Sequence, residues 1–190
     1  PTANYTFGAK EAQPEEDTSV QARLDRLERD YHQAGMRSTV EAVIVVHEHR
    51  HPHVLMLQIA NAFFKLPGHY LKPGEDEVEG LKRHLTRQLS SETAGDIDPD
   101  WEVGECLSTW WRPNFETYMY PYVPPHVSRP KEQKKIYLVH MPERKLLSVP
   151  RNMKLLAVPL MELYDNPTRY GSQLCSLPHV LSRFNIVYAD

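Results

Sequence analysis

Gly68-His69-Tyr70-Leu71-Lys72-Pro73-Gly74-Glu75, running on into Asp76-Glu77-Val78-Glu79-Gly80-Leu81-Lys82-Arg83-His84-Leu85-Thr86-Arg87-Gln88-Leu89-Ser90, is the stretch that decides the fold. Glycine and proline punctuate a turn, acids open a helix, and Val78, Leu81, Leu85 and Leu89 recur at the spacing of one buried helix face. His84, Arg87 and Gln88 stand at i, i+3 and i+4, so they share another face. A guanidinium has no lone pair to offer a cation, and an amide carries no charge.

The layout resembles a Nudix box: Gly, five residues, Glu, seven residues, then Arg-Glu-apolar-any-Glu-Glu-any-Gly. Glu75 takes the first acid position, Arg83 the arginine and Leu85 the apolar position. His84, Arg87 and Gln88 fall where that family carries glutamates. Ser90 replaces the closing glycine, and His69 stands in place of the second glycine of the opening pair. Three carboxylates on that face would hold Mg²⁺, neutralise a pyrophosphate and activate a water. Without them the expectation is an α/β Nudix fold, an α/β/α sandwich with a mixed sheet, lacking ordinary Nudix catalysis. No catalytic residue, metal site or cofactor is expected.

Composition sets outer limits. At 190 residues the chain suits one domain with an appendage, and 41% hydrophobic content suffices for a core. The 16 prolines concentrate after residue 110, which signals shaped loops. No apolar run has membrane-spanning length, so no membrane is expected, and nothing resembles a signal peptide. Cys106 and Cys175 lack a CxxC pairing and point to a reducing, intracellular compartment. A net charge of -3 argues against binding nucleic acid mainly through phosphates; an RNA ligand would be held by its bases.

Along the chain, Thr18 with Gln21 reads as a capping box for a helix carrying Val20, Leu24, Leu27 and Tyr31 and closed by Gly35. By spacing alone, Glu15 is an acidic cap and Arg23 a solvated helix position. Residues 36–46 read as a strand buried on both faces, with Glu41 near its start. His47, His49, His51 and His53 alternate as one strand face would require for zinc, but Arg50 and Pro52 indicate a turn that splays them. Residues 54–59 return as the second hairpin strand. Phe63 and Phe64 adjoin in an extended connection, so they point to opposite faces, and one of them is a candidate stacking platform for a base.

A polar loop is expected over residues 91–99. Residues 101–111 read as a strand pair or one long bent strand, residues 116–135 as a long loop rich in tyrosine and proline, residues 136–141 as a strand, and residues 177–184 as a terminal helix. A loop of such length is usually functional, and exposed tyrosines suit protein recognition.

Seven blocks together closely resemble the small Nudix subunit of pre-mRNA cleavage factor I: Asn4 to Gly8, Gly35 to Arg37, Val45 to Arg50, Phe63 to Gly68, Pro73 to Arg83, Trp110 to Phe115 and Leu181 to Asn185. The resemblance spans essentially the whole chain. It implies a nuclear homodimer that binds UGUA elements in pre-mRNA and acts in 3′-end cleavage, polyadenylation and poly(A) site choice. It also implies a larger RRM-containing partner subunit, with contacts to poly(A) polymerase and nuclear poly(A)-binding protein. By the same resemblance RNA contacts fall on Glu15, Arg23, Ala62, Phe63 and Phe64, with Glu41 and Leu66 nearby, and partner contacts on Tyr120, Tyr122 and Val180. The family keeps one glutamate where this chain has Arg87. Residues 1–35 would be an RNA-binding arm and helix, 36–163 the degenerate Nudix domain and 164–190 a C-terminal helical segment. Alternatives are a hydrolase of nucleoside polyphosphates recruiting Glu75, Glu77 and Glu79, a nucleotide-binding regulator, or a pure scaffold for the larger subunit.

Overall fold

The computed structural model describes residues 1–91 and 101–188. A first strand, β1 (Tyr5–Lys10), pairs in parallel with β8 (Lys145–Pro150), so the N-terminal arm is hydrogen-bonded into the body. Helix α1 (Val20–Ala34) is capped by Ser19, whose Oγ accepts from the Ala22 N–H at 3.1 Å. The cap is therefore one residue later than Thr18. Leu24 and Leu27 are buried, whereas Val20 is exposed. Gly35 ends the helix at φ 77°, a conformation glycine adopts without Cβ strain.

The β-branched run forms β2 (Arg37–Glu48), and its side chains alternate as a strand's must. Val40, Ala42, Ile44 and Val46 enter one core cluster, and Val43 with Val45 enters a second on the opposite side. A turn at His49 and Arg50, both at positive φ, returns the chain as β3 (His51–Ile59). The hairpin is longer than the pattern indicated, and the turn separates the alternating histidines. β4 (Phe63–Lys65) pairs with the end of β3, and β5 (Gly68–Tyr70) with the start of β2. These two short strands fill the gap where β2 and β3 diverge. The box helix is α2 (Glu77–Leu89).

The expected polar loop lies, apart from Ser91, outside the described residues. Beyond it, β6 (Glu102–Arg112) is one long strand with register shifts between Val103 and Ser108, not a pair. β7 (Glu132–His140) runs antiparallel to β6 and parallel to β2, and starts four residues earlier than its apolar core suggested. β9 (Met153–Pro159) runs antiparallel to β3, and the parallel β2–β7 pair among antiparallel neighbours makes the sheet mixed. Short helices α3 (Leu160–Leu163), α4 (Pro167–Cys175) and α5 (Leu177–Leu181) follow; the last stops short of Phe184.

Two buried clusters give the three layers their adhesion. Leu81, Leu85 and Leu89 of α2 meet Ile44, Leu55 and Leu57 on one face of the sheet. Leu163, Tyr170, Leu174, Leu177 and Leu181 of the C-terminal helices meet Val43, Val54, Met56 and Ile136 on the other. The expected α/β/α sandwich is the observed architecture.

Candidate nucleic-acid interface

Three hydrogen bonds lock α2 onto the turn before it. The Gln88 side chain accepts from the Gly68 N–H at 2.9 Å and donates to the Gly68 carbonyl at 3.1 Å. His84 Nε2–H donates to the Tyr70 carbonyl at 2.8 Å. Gly68 itself is obligatory: its φ is 141°, and a Cβ there would sit 2.1 Å from the Val40 carbonyl oxygen. His84 and Gln88 are thus buried fasteners, while Arg87 on the same helix face is exposed. An amide both donates and accepts, which a carboxylate at 88 would not do. Gln88→Glu should strand the buried Gly68 carbonyl and cost about 1–3 kcal/mol, read by urea unfolding at neutral pH. An unchanged midpoint would mean that this latch contributes nothing.

The acids left in the box are already engaged. Glu75 accepts from Arg83 at 2.8 and 3.0 Å and from the Lys72 N–H. The Arg83 hydrogen bonds hold its carboxyl at a pKa of about 2. Glu77 accepts from Lys135 at 2.7 and 2.9 Å and from the Tyr137 hydroxyl. Burial raises the Glu77 pKa, but these two partners outweigh it and the net shift is downward. A cleft of about 240 Å³ between the end of α1 and this turn is lined by both paired acids. Glu79 faces solvent. Among the described residues, no group of three or more His, Cys, Asp or Glu is placed to hold a metal ion.

At the neighbouring edge of the sheet, β4 presents its two aromatics to opposite sides. Phe63 is 65% exposed. Phe64 is half-buried against Tyr170 of α4, with ring centroids 4.9 Å apart and the Arg169 guanidinium 5.7 Å above it. The Ala60–Asn61 turn that leads into β4 has both residues at positive φ, and Lys154 grips Asn61 Oδ1 at 3.0 Å. Glu41, in β2, lies 2.9 Å from Lys134 of β7, which also donates to Gln173 of α4 at 3.2 Å. Burial lowers the Lys65 pKa, and the charges of Glu41, Glu15, Lys134 and Arg23 are all felt there. The structure therefore brings Glu15, Arg23 and Glu41 into one electrostatic neighbourhood around Lys65.

Ala62 is exposed beside Phe63, but Leu66 is 1% exposed and belongs to the core. Any contact of Leu66 with a ligand would therefore run through its backbone. Lys65, Lys134, Arg169, Tyr170 and Gln173 also surround the area and were missed. Period-two alternation puts Lys65 on the face of Phe63, a signal available in the sequence. The others arrive through β7 and α4, which no local pattern connects to Phe63.

Tyr120 and Tyr122 sit together on the 113–131 loop, ring centroids 5.8 Å apart and both exposed. Tyr120 exchanges two backbone hydrogen bonds with Trp111, each 2.8 Å. Val180, on α5, flanks the core cluster that contains Met119 of the same loop.

The family model for Nudix nucleotide hydrolases matches residues 1–184. A pre-mRNA cleavage factor Im 25 kDa subunit 2 of Arabidopsis thaliana is 57% identical over 185 residues, covering 97% of this chain and 92% of that protein. The chain belongs to the Nudix-fold family of cleavage factor Im 25 kDa subunits. A member named cleavage and polyadenylation specificity factor subunit 5, from Dictyostelium discoideum, is 46% identical over 98% of this chain and 92% of its own length. The fold is also that of more distant Nudix proteins. The E. coli dihydroneopterin triphosphate pyrophosphohydrolase superposes with a TM-score of 0.50 at 14% identity, over 77% of this chain and 93% of that one. The NUDIX domain of Shewanella oneidensis NrtR gives 0.50 at 15%, over 82% and 96%. At such identities the likeness is one of fold alone. The 25 kDa subunit family and the Nudix box thus meet in one chain, with the box positions His84 and Gln88 turned to structural use.

Proposed function

We propose that this chain is a non-catalytic RNA-binding subunit acting in pre-mRNA 3′-end cleavage and polyadenylation, and that it selects single-stranded UGUA. The names of its close relatives support the process, and the exposed Phe63 ring among ionised side chains carries the mode of binding. An aromatic face stacks on any unpaired base, while carboxylates and guanidinium groups read base edges. Glu41 and Glu15 can accept from guanine N1–H and N2–H₂; Arg23 can donate to uracil or guanine carbonyls. Work in the nucleus, homodimerisation and docking of a larger RRM-containing subunit on Tyr120, Tyr122 and Val180 belong to the same reading.

The hydrolase alternative is disfavoured, because Glu75 and Glu77 are held by Arg83, Lys135 and Tyr137. A gel shift comparing UGUA with scrambled RNA is the deciding experiment: tighter binding of UGUA is expected, and equal binding ends the proposal. Affinity should also fall only gently with salt, since few phosphates are neutralised. A steep slope would give the backbone, not the bases, the leading part.

A further inference from the structure

Where a metal-dependent Nudix protein gathers carboxylates, this chain places the cation Arg87, with the charges of Lys65 and Arg26 felt at the neighbouring His69. Arg87 shares the helix face of His84 and Gln88 and is exposed. The His84 ring stacks on His69 at 5.5 Å and 29°. His69 Nδ1 accepts from the Tyr70 N–H at 2.7 Å, so in the neutral ring the proton sits on Nε2. That Nε2 lies 3.4 Å from the Glu16 carboxylate, and Arg26 Nη2 approaches the same oxygen at 3.4 Å. Burial, His84 and the positive charges of Lys65, Arg26 and Arg87 together hold the His69 pKa at about 4. Arg26 is already paired at two points with Asp17, at 2.7 and 2.9 Å, so the Glu16 carboxylate is the second, more loosely held anion in this setting, and both come from the arm. The Glu16 side chain is 55% exposed, so it is not sealed in place.

We propose that this face is an anion subsite that takes one phosphodiester group of the bound RNA directly, without a metal ion, in exchange for the Glu16 carboxylate. Arg87 is the principal contact, because a guanidinium fork matches two phosphate oxygens. Lys65 projects on the same face of β4 as Phe63, so a strand stacked on that ring passes Lys65 on its way to Arg87. This inference rests on the RNA-binding reading above. It also gives the replacement of the family's glutamate at 87 a purpose: charge reversal lets the side chain stand in for the missing cation.

The test uses the full chain and a UGUA-containing single strand, followed by fluorescence anisotropy across a salt series. Arg87→Gln should make the slope of log K against log salt shallower by about 0.7, the contribution of one phosphate. Affinity at low salt should fall several-fold, and the ratio of UGUA to scrambled binding should stay constant. Glu16→Gln should tighten binding at low salt. A neutral methylphosphonate at the contacted linkage should erase the Arg87→Gln effect. Arg87 is exposed, and Lys10 and Gln13 hold its carbonyl, not its side chain, so the variant keeps its fold. An unchanged slope with UGUA selectivity intact overturns the subsite alone. Absence of UGUA selectivity in the unaltered chain overturns the functional reading beneath it. A third arm titrates inorganic pyrophosphate by calorimetry. If Arg87→Gln weakens pyrophosphate binding but leaves the RNA slope untouched, the site serves free phosphate compounds and the RNA assignment fails.

Discussion

Glu132→Ala should destabilise the protein by about 3–5 kcal/mol, the usual result of removing one partner from a buried ion pair. Glu132 is 2% exposed. Its two oxygens accept from Arg112 Nε and Thr39 Oγ1, each at 2.8 Å. Arg112 also donates to the Glu116 carbonyl at 2.5 Å. The network thereby ties β2, β6 and β7 together at the two ends of the 113–131 loop. Truncation would leave a guanidinium buried without its counter-charge, and a loss of this size lowers Tm by roughly 6–20 °C in a domain of this length. Burial raises the Glu132 pKa, but Arg112, Lys134 and the two hydrogen bonds outweigh burial and hold it below the ordinary value. The sign follows: the carboxylate's contribution is complete above the unfolded glutamate pKa of about 4.3 and fades as pH falls through the lower folded value. Urea unfolding at neutral pH should separate the two proteins widely, and the gap should narrow in acid. A variant as stable as the parent at neutral pH would remove this network from the account of the fold.

What the sequence revealed follows the reach of each physical signal. Apolar periodicity in α2 and the β-branched run of β2 are local and strong, and together they imply a helix on one side of a doubly buried strand. β1, β8, β9 and α4 were not anticipated. Lys145–Pro150 and Met153–Pro159 are short and mixed in pattern, and their strand character comes from pairing with β1 and β3. α4 contains Gly171 at φ 80°, which interrupts any regular spacing. Glu132 reads as loop in the sequence because it is a lone acid among lysines; only its buried partners reveal it as structural. The site divides in the same way. Phe63 declares itself by adjacency to Phe64, but Lys134 and Arg169 are neighbours only through tertiary packing.

Phe63→Ala should weaken UGUA binding by about 1–3 kcal/mol, roughly five- to 150-fold, by removing one stacking face. The ring is mostly exposed and contributes little burial, so the thermal midpoint should hardly move. Phe63→Tyr keeps a face of similar size and should restore most of the affinity. Phe64→Ala is the instructive contrast. Its ring packs on Tyr170 and under Arg169, so its loss should lower stability along with affinity. Two measurements, anisotropy with the cognate strand and thermal unfolding, therefore place each ring in a different quadrant. If Phe63→Ala bound like the parent while Phe64→Ala lost affinity without losing stability, the platform would be Phe64. Tyr170 and Arg169 would then be base contacts, and the RNA would cross the opposite side of β4. That path would lead away from Lys65 and Arg87, so the one ring substitution also decides which face of the sheet the strand follows.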